Sequence, residues 1–260
     1  MTTTIMLRQV LEDPTRSDLF SILNEYIRPE SATTAPKAAA LFAKSVKAEG
    51  ESFFWRFWRS IFDVAEQIPH DNPAQDKLVA FLRDLKLVPE TGEKVWEAVV
   101  WTELPLLGPS IREHIDMPAG INESISFHAF VARLLHAGVS PGSETTGIWM
   151  LRAALEEDVK PVSELDRALM IAAVYIEYAG ATLVQELVLR PEPQLDATQQ
   201  RVLRGGNLWT GGTGLTVDRW NFWGTRFREL GAGADSQEAK DLALHAARLI
   251  EVWSRTQLST

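Results

Sequence analysis

The sequence predicts an all-α protein, and three observations carry that prediction. No stretch of five or more residues alternates apolar and polar positions with β-branched enrichment, so no strand is signalled. Apolar residues recur instead at three- and four-residue intervals over most of the chain. Proline and glycine fall between those periodic segments, as at Pro29, Gly50 and Pro161, where helices are expected to stop. At 260 residues the chain can bury a substantial core. The expectation is a single compact multi-helix domain over 1–260 with an aromatic-rich core: an N-terminal helix at 15–28, a loop at 29–36 and a helical core at 38–253.

The core is organised by the glycine-dense stretch from Gly205 to Thr216 and the segment 217–230 that follows, VDRWNFWGTRFREL. Thr216 suits an N-cap, because its hydroxyl accepts an orphan N–H of the first turn. Trp220, Trp223 and Phe227 then share one face, so the segment reads as a clasp closing a helical interior. In order from the N-terminus, Leu19, Ile22, Leu23, Tyr26 and Ile27 give the first helix its stripe. A second helix runs from Ala38 to about Glu49. Glu51 opens a third, ESFFWRFWRSIFDVAEQIP, apolar around much of its circumference and therefore expected between neighbours.

Asn72 and Pro73 are cap and first-turn residues of a helix to about Lys86. A short helix is expected over Glu93–Thr102, and Gly108-Pro109 reads as an interruption of the segment that Pro105 opens. Further helices are expected at Asn122–His136, Glu144–Glu157, Ser163–Leu189, Thr198–Arg204 and Ser236–Trp253. The tetrapeptides Trp55-Arg56-Phe57-Trp58 and Trp220-Asn221-Phe222-Trp223 share a spacing, as if one helix surface were needed twice.

Composition removes whole classes of chemistry. A net charge of −9 argues against nucleic acid or an anionic membrane as a non-specific partner. With no cysteine there is no disulfide, thiol nucleophile or zinc–thiolate site, which suits a cytoplasmic protein. The N-terminal residues do not read as a secretory signal, and no apolar run reaches the roughly 20 residues of a membrane helix. The five histidines, His70, His114, His128, His136 and His245, show no i,i+4 pair, so no metal site is expected. The glycine loop lacks a Walker lysine and a preceding strand, and no G-x-S-x-G elbow occurs. No cofactor is expected.

The stretches WRFWRSIFDVAEQIPHDNPAQDKLVAFL, WTELPLLGPSIRE, FHAFVARLLHAG, IWMLRAALE and GGNLWTGGTGLTVDRWNFWGTRFREL together resemble a family of filamentous-fungal proteins known as domain of unknown function 3632. The resemblance spans roughly residues 53–230 and implies an all-helical fold and a fungal source, with no established activity. Some members look like passengers in secondary-metabolite gene clusters. Where a Trp-Ile-x-His-Ala-Gly run is expected, this chain has Tyr175-Ile176-Glu177-Tyr178-Ala179-Gly180, which leaves any role of that histidine without its residue.

Nine tryptophans form either an aromatic core or the walls of a pocket for an apolar ligand. Charges inside apolar helices supply the candidate chemistry. Glu177, Arg133 and Arg152 are expected to be buried, and a buried charge needs a partner or a function. His70 and Asp71, near Glu66 and Asp76, form a second polar cluster that helix capping explains.

The functional expectation is a cofactor-independent isomerase, cyclase or dehydratase acting on an apolar metabolite. Glu177, Arg133 and His128 are the catalytic candidates, and Trp55, Trp58, Trp220, Trp223 and Arg152 the ligand-binding ones. The alternatives are a non-catalytic module that docks another protein, whose identity the sequence does not indicate, or a small-molecule carrier.

Overall fold

A computed structural model describes residues 5, 7–8, 14–140, 142–158, 161–190 and 194–258. Among them are eleven helices and one two-residue-stranded hairpin, so the chain is all-α. Two compact units divide it, Met1–Ser140 and Pro141–Thr260, and each holds its own set of buried indoles.

The first unit contains α1 (Pro14–Tyr26), α2 (Ala35–Ser45), α3 (Gly50–Gln67), α4 (Ala74–Leu85), α5 (Leu107–Ile115) and α6 (Ile121–His136). Helix α3 is central, packing against α1, α5 and α6, while α2 lies on α4. Its circumferential apolarity has the expected result: Phe53, Phe54, Phe57, Trp58, Ile61 and Phe62 are all buried. The Trp58 ring is wholly enclosed, and its Nε1 donates to the Pro105 carbonyl at 2.6 Å, which answers the polar requirement of a buried indole. Gln75, also enclosed, donates from Nε2 to the carbonyls of Ala65, Ile68 and Ser126, tying α4 to the end of α3 and to α6. At the start of α4, Asn72 Oδ1 accepts from the Ala74 N–H at 2.9 Å, as its position before Pro73 predicts.

Two local expectations are corrected here. The helix expected over Glu93–Thr102 is a hairpin, β1 (Lys94–Val95) against β2 (Ala98–Val99), with Lys94 opposite Val99 and Val95 opposite Ala98. Its two turn residues, Trp96 and Glu97, have φ of 49° and 65°, the left-handed pair that a two-residue hairpin turn requires. Burial decides against local propensity, because the chain beyond the turn delivers Val100 and Trp101 to the core. Trp101 packs its ring 5.7 Å from both Phe54 and Phe57. Gly108-Pro109, expected as an interruption, lies inside α5. Both residues fall in its first turn, where an N–H has no intrahelical acceptor and proline removes nothing.

The second unit contains α7 (Glu144–Leu155), α8 (Val162–Leu189), α9 (Ala197–Val202), α10 (Val217–Ala232) and α11 (Gln237–Gln257). Helix α8 is its spine, with α7 and α11 against it and α10 against α11. Thr216 caps α10 as expected, accepting from the Arg219 N–H. Trp220, Trp223 and Phe227 are fully buried on one face. Close approach of α10 and α11 depends on Gly224, where an added Cβ would lie 2.7 Å from Ile250 Cγ2. The two W-x-F-W tetrapeptides thus present different surfaces: Phe57 and Trp58 point inward on α3, Trp220 and Trp223 on α10.

By length and composition the Glu164–Leu189 part of α8 is apolar enough to cross a membrane, although 67% of its most apolar window is buried within the protein. The expectation that no apolar run approaches that length is corrected, because isolated residues such as Arg167 and Glu177 interrupt the run without making it polar. The α8 carboxylate Asp166 accepts the N–H groups of Asp235 and Ser236 at 2.9 and 2.7 Å, fixing the entry to α11. Burial pushes the Asp166 carboxyl up, but these donors outweigh it and its pKa lies below the usual carboxylate value.

Trp58→Ala is expected to destabilise the first unit by about 3–5 kcal/mol, read by denaturant unfolding. A near-neutral result would remove Trp58 from the core. Asp166→Asn is expected to lower stability at about pH 7, with the gap from wild type closing towards about pH 3. A folded-state pKa below the unfolded one gives stability that is present above the unfolded value and lost as pH falls through the folded value. Urea unfolding at both pH values measures the gap.

Candidate functional site

Helices α3 and α5 flank an open recess of about 210 Å³ in the first unit. Positions 55, 59 and 62 share a face of α3, and 110, 113 and 114 share a face of α5, so helical spacing aims both sets at the same space. Trp55, Phe62 and Met117 supply its apolar wall. Arg56, Arg59 and Glu113 bring charge to it, and all three are exposed.

His114 is the chemically distinctive residue of this lining. Its side chain is only 10% exposed, and Nε2 lies 2.8 Å from Glu66 Oε1. An ionised carboxylate only accepts, so in the neutral ring this contact puts the hydrogen on Nε2 and leaves the lone pair on Nδ1. The imidazole is further confined by Phe62 and Phe127, at centroid distances of 5.1 and 4.5 Å. Ser110, on the same helix, is buried, and its hydroxyl has no hydrogen-bond partner among the described residues. Leaving a buried hydroxyl unmatched costs about 1–3 kcal/mol.

The Trp55 ring is held from outside the recess. Its Nε1 donates to Glu51 Oε1 at 2.9 Å, while Trp96 at the hairpin turn donates to Oε2 at 3.1 Å. The two indoles meet edge to face with centroids 6.5 Å apart. Donation first from Trp55 and then from Trp96 holds the Glu51 carboxyl below its ordinary value.

A different constellation governs the second unit. Glu156 and Arg219 are both completely enclosed and form a two-pronged ion pair: Nε to Oε1 at 2.6 Å and Nη2 to Oε2 at 3.0 Å. The other guanidinium hydrogens go to the carbonyls of Leu203, Arg204 and Gly214. The carboxylate takes two more donors, Trp223 Nε1 at 2.6 Å and the Gly206 N–H at 2.8 Å. The glycine-dense loop is thereby wrapped around a buried pair. Gly206 passes so close to the Glu156 carbonyl that a Cβ there has no room. Only Gly214 of this loop needs a left-handed φ, +93°; Gly205 and Gly211 instead make space for the Trp209 ring. The loop N–H groups of Gly206, Leu208 and Gly214 are spent on Glu156 and Leu203, an internal use rather than a phosphate cradle.

The residues singled out by sequence are scattered over both units. Glu177 is not desolvated: its side chain is 34% exposed and pairs with His245 Nε2 at 2.6 Å, because α8 turns this one position outward among apolar neighbours. Arg133 is buried as expected and donates from Nε to Asp76 Oδ1 at 2.9 Å. His128 is buried with its ring edge-on to Phe127. Of the ligand-binding candidates, Trp55 lines the α3–α5 recess. Trp58, Trp220 and Trp223 are enclosed by core side chains. Arg152 lines an open polar groove with Arg204, Glu157 and the start of the glycine loop. The polar cluster near His70 divides its labour, Glu66 going to His114 and Asp76 to Arg133.

Fold and recess together define a helical protein with a small, mostly apolar pocket and a carboxylate-held histidine at its wall. A family model described as "Protein of unknown function (DUF3632)" matches residues 58–227, and the chain belongs to that family. No curated protein and no solved structure matches it.

Glu156→Ala is expected to cost about 3–5 kcal/mol, because it strands a buried guanidinium. The double change Glu156→Leu with Arg219→Met is expected to recover most of that loss. Chemical denaturation of the three proteins checks the pair, and a mild single-variant effect would count against its burial.

Proposed function

We propose that this chain is a cofactor-independent biosynthetic enzyme of the isomerase, cyclase or dehydratase type, acting on a small apolar metabolite in the α3–α5 recess. The observation that carries this reading is His114, oriented by Glu66 at 2.8 Å in the lining of an apolar pocket. A histidine whose tautomer is fixed by a carboxylate is suited to general base and then general acid work near neutral pH. Nδ1 takes a proton from a substrate C–H, and the released electron pair shifts into the adjoining carbon framework. The imidazolium, stabilised by Glu66, returns that proton to a second carbon in isomerisation or to a departing hydroxyl in dehydration. Trp55, Phe62 and Met117 hold the apolar body. The catalytic role expected of Glu177 passes to His114, because Glu177 is 34% exposed and paired with His245, whereas His114 is 10% exposed.

The purified chain is to be incubated with an apolar metabolite extract in D₂O and followed by mass spectrometry. The expected result is a compound that gains deuterium or loses water, with His114→Gln abolishing the change. Conversion unaffected by His114→Gln would refute the assignment. Saturable binding without any conversion would identify a carrier instead.

A further inference from the structure

Within that recess the structure points to a substrate class, and this step rests on the pocket being a binding site. We infer that the ligand is a small apolar acid, an aryl or alkyl carboxylate, whose carboxylate is received by Arg59 and Ser110 while its hydrocarbon part lies against Trp55 and Phe62.

Size sets the first limit. An apolar cavity of about 150 Å³ accommodates benzene, so a recess of about 210 Å³ takes one ring or a short chain plus a small polar group.

Charge sets the second. Two guanidiniums, Arg56 and Arg59, line the space against one lining carboxylate, Glu113, while Glu66 is taken up by His114. Arg59 has no ion-pair or hydrogen-bond partner among the described residues, unlike Arg83, Arg133 and Arg219 of the same protein. Its planar fork matches a carboxylate in two-point geometry.

The third observation is Ser110, only 5% exposed, with an Oγ that no described group satisfies. A hydroxyl in that condition is a donor that a bound carboxylate oxygen would use. Arg59 and Ser110 stand on the two helices that face each other across the recess, so one carboxylate spanning them would leave its hydrocarbon directed at the apolar wall. Ser110 and His114 lie one turn apart on the same face of α5, so a carboxylate held at Ser110 sets the adjoining carbon on the side of His114.

The test compares 3-phenylpropionate with its neutral isostere, 3-phenylpropionamide, by isothermal titration of the whole chain at low salt. The acid is expected to bind about ten-fold more tightly than the amide. Arg59→Gln is expected to bring the acid down to the level of the amide while leaving the amide unchanged, and Arg228→Gln, an exposed arginine of the second unit, to leave both affinities in place. Equal binding of the two compounds, or an acid preference that survives Arg59→Gln, overturns the carboxylate assignment and leaves the pocket standing. Failure of both compounds to bind overturns the pocket reading and this inference together.

Discussion

The second unit depends on one interaction, the enclosed pair of Glu156 and Arg219. All five guanidinium N–H groups are matched, and the carboxylate accepts four donors, so both groups are saturated without water. Taking two charges out of water is expensive, and their attraction offsets that only when every remaining donor and acceptor is used. This requirement explains the loop between α9 and α10. Carbonyls of Leu203, Arg204 and Gly214 have to converge on one guanidinium, and a backbone bent that tightly tolerates no side chain at Gly206.

In the first unit the corresponding constraint is aromatic. Helix α3 buries its other rings and meets solvent along the line of Glu51, Trp55, Arg56 and Arg59, where Trp55 is the one ring half-exposed. The recess opens along that line, where the apolar helix meets its narrow polar edge. Chemistry and packing therefore share one helix: Phe62 supports the core and walls the pocket, while Glu66, one turn on, fixes the histidine contributed by α5.

Much of this was legible in the sequence, and the exceptions share a cause. Helix positions, the Thr216 cap and the inward face of Trp220, Trp223 and Phe227 follow from spacing and local chemistry alone. The hairpin at residues 94–99 does not, because Val95 and Val99 fit a helical spacing and only the burial of Trp101 selects the alternative. Glu177 misled for a related reason. Apolar neighbours in sequence imply burial only when the helix is enclosed all round, and α8 leaves this position open. His114 and Glu66 are 48 residues apart, as Glu156 and Arg219 are 63 apart, and neither pair leaves a periodic trace. A hint of the second existed: an arginine inside the first turn of a helix capped by Thr216, directly before a buried tryptophan, had no obvious solvent-facing role.

Between α4 and α5 the backbone carries an unusual load. Trp96, Glu97, Trp101, Leu104 and Leu106 all adopt left-handed φ without being glycine, at a cost of roughly 1–2 kcal/mol each. Trp101, Leu104 and Leu106 are buried, so what holds this strap in place is anchorage of side chains beneath it rather than preference of its own peptide units. Such a segment behaves like a sprung latch. Its residues release their tension together once an anchor lets go, and amide hydrogens beside Trp55 would then be opened to exchange.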